Sequence, residues 1–146
     1  MSFDKNRIWY LIGSVTLIAA IVMSAGILSS CGGPMINDVT TGETPEYPDL
    51  QPQRFEAEYD RVFDVARDAA ASIGVAITSA DRDAGEIRGV ATTRVFRFKD
   101  DVTITLTRDG NATIVNIRSA SRVGKSDLGK NAKRIRKLQA ALAERL

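Results

Sequence analysis

Apolar positions along the chain follow three different rhythms, and each predicts a different kind of structure. From Ile8 to Leu28 the sequence IWYLIGSVTLIAAIVMSAGIL runs for 21 residues without a charge. A helix of that length, rising about 1.5 Å per residue, spans roughly 30 Å, the thickness of a hydrocarbon core. Lys5 and Arg7 precede it and outweigh Asp4. The N-terminal flank is therefore expected in the cytoplasm, and everything after the run on the other side of the membrane. Residues 1–30 thus read as a membrane segment, either a cleaved signal peptide or a transmembrane helix.

From Gly32 to about Arg54 no apolar period is present, and Pro34, Pro45, Pro48 and Pro52 punctuate the segment. Proline-containing chain is stiff and extended, so residues 31–54 read as a linker that lifts a domain off the bilayer. The stretch MINDVTTGETPEYPDL is less repetitive than a pure spacer, and part of it is expected to dock on the domain.

Residues 55–146 carry the third rhythm. Tyr59, Val62, Phe63, Ala66, Ala70 and Ile73 recur at three- and four-residue steps and predict an amphipathic helix, with Asp60, Asp64, Arg67 and Asp68 on its other side. Gly74 is a natural stop. Strand-like segments follow at Val75–Ala80 and Glu86–Thr93, separated by DRDAG. Val102, Ile104 and Leu106 alternate with Thr103, Thr105 and Thr107, which predicts a strand with one buried face. A type I′ turn at Arg108–Asn111 would return the chain as Asn111–Ser119. Phe96 and Phe98, in VFRFKDD, are expected to pack on the sheet. A last helix, capped by Asp127, carries Leu128, Ala132, Ile135, Leu138, Leu142 and Leu146 on its apolar stripe. The predicted class is α+β in the order α-β-β-β-β-α, a four-stranded antiparallel sheet with two helices packed on one face.

Two residue counts exclude whole classes of chemistry. The chain has no histidine and one cysteine, so it cannot alone build a Ser-His-Asp triad, a Cys-His dyad, a His-ligated metal or an internal disulfide. No cofactor and no metal is expected. The cysteine, Cys31, follows Leu28-Ser29-Ser30 and precedes Gly32 and Gly33. Those four residues resemble the lipobox of bacterial lipoprotein signal peptides, in which small residues admit the backbone to the peptidase and the thiol receives the lipid. Cys31 is the lipid-attachment candidate, and two or three acyl chains would anchor stably. The alternative is an uncleaved, single-pass inner-membrane helix with an incidental cysteine, since 21 residues exceed the about 7–15 of a signal h-region. Both readings place the domain in the periplasm or otherwise outside the cytoplasm.

Charge is divided unevenly. Residues 31–80 hold three basic and nine acidic side chains, whereas 81–146 hold fifteen and eight. The cations crowd the final helix and the loop before it. Nucleic acid is not expected as a partner outside the cytoplasm, whereas anionic lipid phosphates would attract such a patch; an ordinary solvated helix face needs no partner at all.

The segment Ile117–Ile135, IRSASRVGKSDLGKNAKRI, resembles the signature of the bacterial domain-of-unknown-function family numbered fourteen ninety-nine. The resemblance rests on Arg118, Ser119, Ser121, Arg122, Gly124, Ser126, Asp127, Gly129, Asn131 and Arg134. Phe98 with Asp100-Asp101-Val102, and Asn37-Asp38-Val39-Thr40-Thr41, resemble its upstream elements. It covers about residues 37–146 and implies one domain in a membrane or lipoprotein setting, with no assigned activity.

Read chemically, the segment joins a strand to a helix start and is rich in hydroxyls, glycines and cations. Backbone N–H groups with Arg118, Arg122 and Lys125 can hold a phosphate, carboxylate or lipid headgroup. The candidate binding residues are Arg118, Ser119, Ser121, Arg122, Lys125, Ser126, Asp127 and Asn131. The structural reading has Asp127 capping the helix, the serines satisfying backbone groups, and Arg122 bracing Asp100 or Asp101. Those two aspartates, adjacent on a strand, point to opposite faces and make a poor acid–base pair. The leading expectation is a non-enzymatic binding or assembly module of the envelope that contacts a protein or anionic lipid. The alternative is a small anionic-ligand receptor or enzyme built on the Arg118–Asn131 loop.

Overall fold

Alternation of Val102, Ile104 and Leu106 with threonines produces the longest of the described strands, and the rest of the sheet is laid down on either side of it. The computed structural model describes residues 35–146. The apolar run at 8–28 and Cys31 lie outside the described residues. The elements are β1 (Asp38–Thr40), β2 (Gln53–Phe55), α1 (Tyr59–Ser72), β3 (Val75–Asp81), β4 (Glu86–Thr92), β5 (Lys99–Asp109), β6 (Ala112–Ser121) and α2 (Lys130–Ala143). Neither helix is long and apolar enough to cross a membrane.

Strands β3 to β6 form the expected meander, with order β6-β5-β4-β3 and every pairing antiparallel. The β5–β6 hairpin closes through Gly110 and Asn111, with Asp109 opposite Ala112. Positive φ falls on Gly110 alone, at 61°, whereas a type I′ turn requires it at both central residues.

The sheet has six strands rather than four. β1 and β2 both pair with the outer edge of β6, β1 against Arg118–Ala120 and β2 against Thr113–Val115. The segment read as a linker therefore supplies two strands. Each is three residues long, too short to display a period of two, and the pair covers an edge that would otherwise offer unpaired backbone groups. Between them Thr41 donates its N–H to Ile117 O at 3.0 Å, and Gly42 N–H meets Leu50 O at 2.7 Å. Leu50 is thereby buried in the core.

Both helices pack on one face, as the apolar stripes require. Val62, Phe63 and Ala66 of α1 and Ile135, Leu138 and Leu142 of α2 meet Ile87, Val102, Ile104, Val115 and Ile117 of the sheet. Burying side chains of this size contributes about 1.5–3 kcal/mol each. Gly89 is required where β4 crosses β3, because a Cβ there would lie 2.5 Å from Val75 Cγ1 and 2.9 Å from Ala76 O. Among the described residues, the opposite face of the sheet carries no helix.

Two apolar segments depart from expectation. Helix α2 begins at Lys130, so Leu128 precedes it, with φ 55° and 86% of its surface exposed. Phe96 and Phe98 stack on each other, centroids 5.5 Å apart, in the β4–β5 loop instead of packing on the sheet. Phe96 is 68% exposed.

Candidate functional site

The signature segment splits between the two faces of the sheet because residues alternate along β6. Ser119 and Ser121 point to the helix side, Arg118 to the open side, and the loop beyond carries Arg122 back over the open side.

On the helix side, Asn131 is fully buried and its side chain makes four hydrogen bonds. Its Oδ1 accepts from Ser119 Oγ and from Arg134 Nη1, both at 2.7 Å. Its Nδ2 donates to Asn37 O at 2.9 Å and Ser121 Oγ at 3.1 Å. Arg134 also donates from Nη1 to Ser119 Oγ at 2.7 Å and from Nη2 to Asp100 Oδ2 at 2.6 Å. The carboxylate of Asp100 is 3% exposed, so this ion pair is largely withdrawn from water. Asp127 accepts from Gly129 N–H at 2.8 Å and from Asn131 N–H at 2.5 Å, fixing the start of α2 from two residues before its cap. Its own N–H donates to Ile36 O at 3.0 Å. Ser119, Ser121, Asp127 and Asn131 therefore form an internal brace that fastens β1, β6, the loop and α2 together. Arg134 and Asp100 complete it.

On the open side, the sheet forms a concave face with a cavity of about 1110 Å³. Thr103, Thr105, Asn116, Arg88, Arg118 and Arg122 line its middle and rim. Each arginine is matched by a carboxylate: Arg118 to Asp38 at 2.5 Å, Arg122 to Asp101 at 2.6 Å, Arg88 to Glu86 at 2.7 Å. Arg122 takes Asp101 bidentately, through Nε as well as Nη2. That hydrogen bond holds the Asp101 carboxyl below the usual carboxylate range against a smaller opposing effect of burial. It likewise raises Arg122. These pairs are about half exposed and are worth little individually.

Lys125 and Ser126 belong to neither face. Lys125 projects from the β6–α2 loop, and Ser126 Oγ accepts weakly from Leu128 N–H at 3.4 Å. The eight predicted binding residues are thus not one site. Arg118 and Arg122 reach the cavity, four residues build the brace, and two lie on the loop. The open face follows from a sheet with both helices on one side, and the threonines alternating along β5 mark it, but of its lining only Arg118 and Arg122 are among the predicted binding residues.

The family described as "Protein of unknown function (DUF1499)" has a model that matches residues 28–142. No curated protein matches. Among solved structures, TTHA0849 from Thermus thermophilus is 12% identical with a TM-score of 0.39, over 74% of this chain and 95% of that one. CV1439 from Chromobacterium violaceum is 11% identical with a TM-score of 0.41, over the same shares, 74% and 95%. CalU16 from Micromonospora echinospora is 14% identical with a TM-score of 0.30, over 64% and 82%. Likeness at this level carries no argument about function.

Proposed function

The chain belongs to the DUF1499 family of proteins of unknown function, and from that premise we propose that it is a membrane-anchored, non-enzymatic module of the cell envelope. It binds a protein partner through the uncovered face of its sheet. The anchor is lipid on Cys31, with an uncleaved helix over 8–28 as the other form of the same topology.

One observation carries the reading: a concave face of charge pairs and hydroxyls, uncovered among the described residues and backed by a core-packed face. An antiparallel sheet tolerates water on one side, but here three arginines and their carboxylates are set in alternation across four strands. Mixed, paired charge suits a protein surface of complementary pattern, where it confers specificity more than affinity. The polar groups best placed for chemistry, Ser119, Asn131 and Asp100, have their bonding capacity taken up by the brace.

A second reading is favoured by the position of Arg118 and Arg122, which line one cavity. A small dianion displacing Asp38 and Asp101 would be held by both guanidinium groups. Arg122→Ala separates the two readings: as a receptor residue its loss abolishes anion binding while stability is kept.

The test is photo-crosslinking in cells from a probe at Thr103, in the middle of the face, against one at Asp68 on the far side of α1. A discrete adduct to one protein from Thr103 alone is expected. Equal yields from both positions, or none from either, would count against the proposal.

A further inference from the structure

Six large apolar side chains are conspicuously exposed among the described residues: Met35, Val95, Phe96, Phe98, Val123 and Leu128. All six lie at the same end of the sheet. Val95, Phe96 and Phe98 sit in the β4–β5 loop, Val123 and Leu128 in the β6–α2 loop, and Met35 just before β1. Hydrogen bonds tie these three segments to one another: Arg122 N–H to Lys99 O at 3.2 Å, Asp127 N–H to Ile36 O at 3.0 Å, and Asn37 Nδ2 to Gly124 O at 2.5 Å. The opposite end, at the Gly110 hairpin, has no exposed large apolar residue among those described.

The same loops are cationic. Arg94, Arg97, Lys99 and Lys125 are exposed and make no ion pair among the described residues, in contrast to the arginines of the open face. The sequence Arg94-Val95-Phe96-Arg97-Phe98-Lys99 interleaves three cations with three apolar side chains, without one carboxylate. Leucine at φ 55° and arginine at φ 53° place the two non-glycine residues of positive φ in these loops. Such conformations are costly for L side chains and tend to mark functional segments.

We propose that this end of the domain docks on an anionic bilayer, with the stacked Phe96 and Phe98 and Leu128 entering the interface and the four cations meeting lipid phosphates. Aromatic and aliphatic tips flanked by lysine and arginine have the composition of an interfacial anchor. The chain itself says what lies opposite. Cys31 is four residues before Met35, about 14 Å at full extension, and Leu28 is seven before it, about 25 Å. Either anchor therefore keeps Met35, at this end of the domain, within that reach of the membrane. Docked so, the domain would stand with its sheet upright and its open face accessible from the side. The inference rests on the membrane-anchored reading above, and not on what the open face binds.

The experiment uses the full chain, purified from membranes and reconstituted into vesicles of phosphatidylglycerol and phosphatidylethanolamine carrying dibrominated acyl chains. Its single tryptophan is removed as Trp9→Phe, and one reporter is introduced at a time: Phe96→Trp, Leu128→Trp, or Asn111→Trp at the hairpin end. Phe96→Trp and Leu128→Trp should be quenched at least roughly two-fold more than Asn111→Trp, and less strongly on purely phosphatidylcholine vesicles. Arg94→Gln with Arg97→Gln should lower the quenching as well. Co-flotation with vesicles is read in parallel. A chain that floats with all three reporters quenched alike overturns the docking, including the case in which the apolar loops serve a protein instead. Equal quenching on both lipid compositions overturns the anionic preference. A chain that fails to float overturns the anchored reading and this proposal with it.

Discussion

Asp100 and Asp101 are consecutive in β5, yet each carboxylate holds an arginine on a different face of the sheet. Asp100 meets Arg134 at 2.6 Å beneath α2 with 3% of its side chain exposed; Asp101 meets Arg122 at 2.6 Å on the open side with 45% exposed. Equal geometry in unequal solvent leads to unequal energies. Breaking a buried pair leaves an uncompensated charge, whereas an exposed pair is largely screened.

Arg134→Ala should therefore destabilise the domain by about 3–5 kcal/mol, whereas Arg122→Ala should cost far less. Urea unfolding of the full chain in mild detergent measures both. Similar losses in the two variants would contradict the assignment of Arg134 to the brace and Arg122 to the surface.

Asn131→Ala should cost about as much as Arg134→Ala without any change of charge. It strips Ser119 and Ser121 of a partner and removes one of the two donors to Asn37 O, which keeps only the Ser121 N–H, at about 1–3 kcal/mol for each group left buried and unpaired. Hydrogen exchange gives the sharper check: amides of β1 should lose protection together with those at the start of α2.

The pH dependence of the Arg122–Asp101 pair has a definite sign. Asp101 titrates below its unfolded value of about 3.9. Its contribution is present above that value and is lost as pH falls through the lower, folded value. The stability gap between the parent chain and Arg122→Ala should thus be open at about pH 6 and narrow as pH falls below about 3.9. A gap that widens on acidification would refute the pairing.

Of these residues, the helices and central strands were readable in sequence because each repeats its pattern several times. The three- and four-residue steps of Tyr59–Ile73 and the alternation of Val102–Thr107 leave one solution apiece. β1 and β2 were not readable, since three residues cannot show a period and the neighbouring prolines suggest a spacer. Leu128 keeps helical spacing with Ala132 and so reads as part of the α2 stripe; only the turn before Lys130 breaks that relation. Phe96 and Phe98 look like core residues to any pattern that counts apolarity alone, and Arg97 between them, with Arg94 and Lys99 on either side, is the signal to the contrary. The brace was half legible. Asp127 as a helix-start residue follows from its type and position, but no spacing rule could join Asn131 to Asn37.

Gly89→Ala should destabilise by about 1–3 kcal/mol through overpacking, since the added methyl meets Val75 and the backbone of Ala76. Trimming the side-chain obstacle with Val75→Ala in the same chain should recover only part of the loss, because the Ala76 carbonyl cannot be trimmed. Full recovery would show that the backbone approach at this crossing is not limiting.

Mass spectrometry of the mature N-terminus tests the proposed anchor. The expected terminus is an acylated Cys31; an intact Met1 or Ser2 with unmodified Cys31 would replace the lipid by a retained helix.

The hold of Asn131 on Asn37 has a mechanical consequence. A tension applied to the chain at Met35 enters the domain through β1, whose ladder with Arg118–Ala120 is antiparallel and lies across the strand direction. Pulled lengthwise, those rungs share the load at once rather than opening in turn, and the Asn131 amide adds a cross-tie to the core helix at the point of entry. A domain bound to something large and tethered by its first strand is thereby built to resist being drawn apart from its leash.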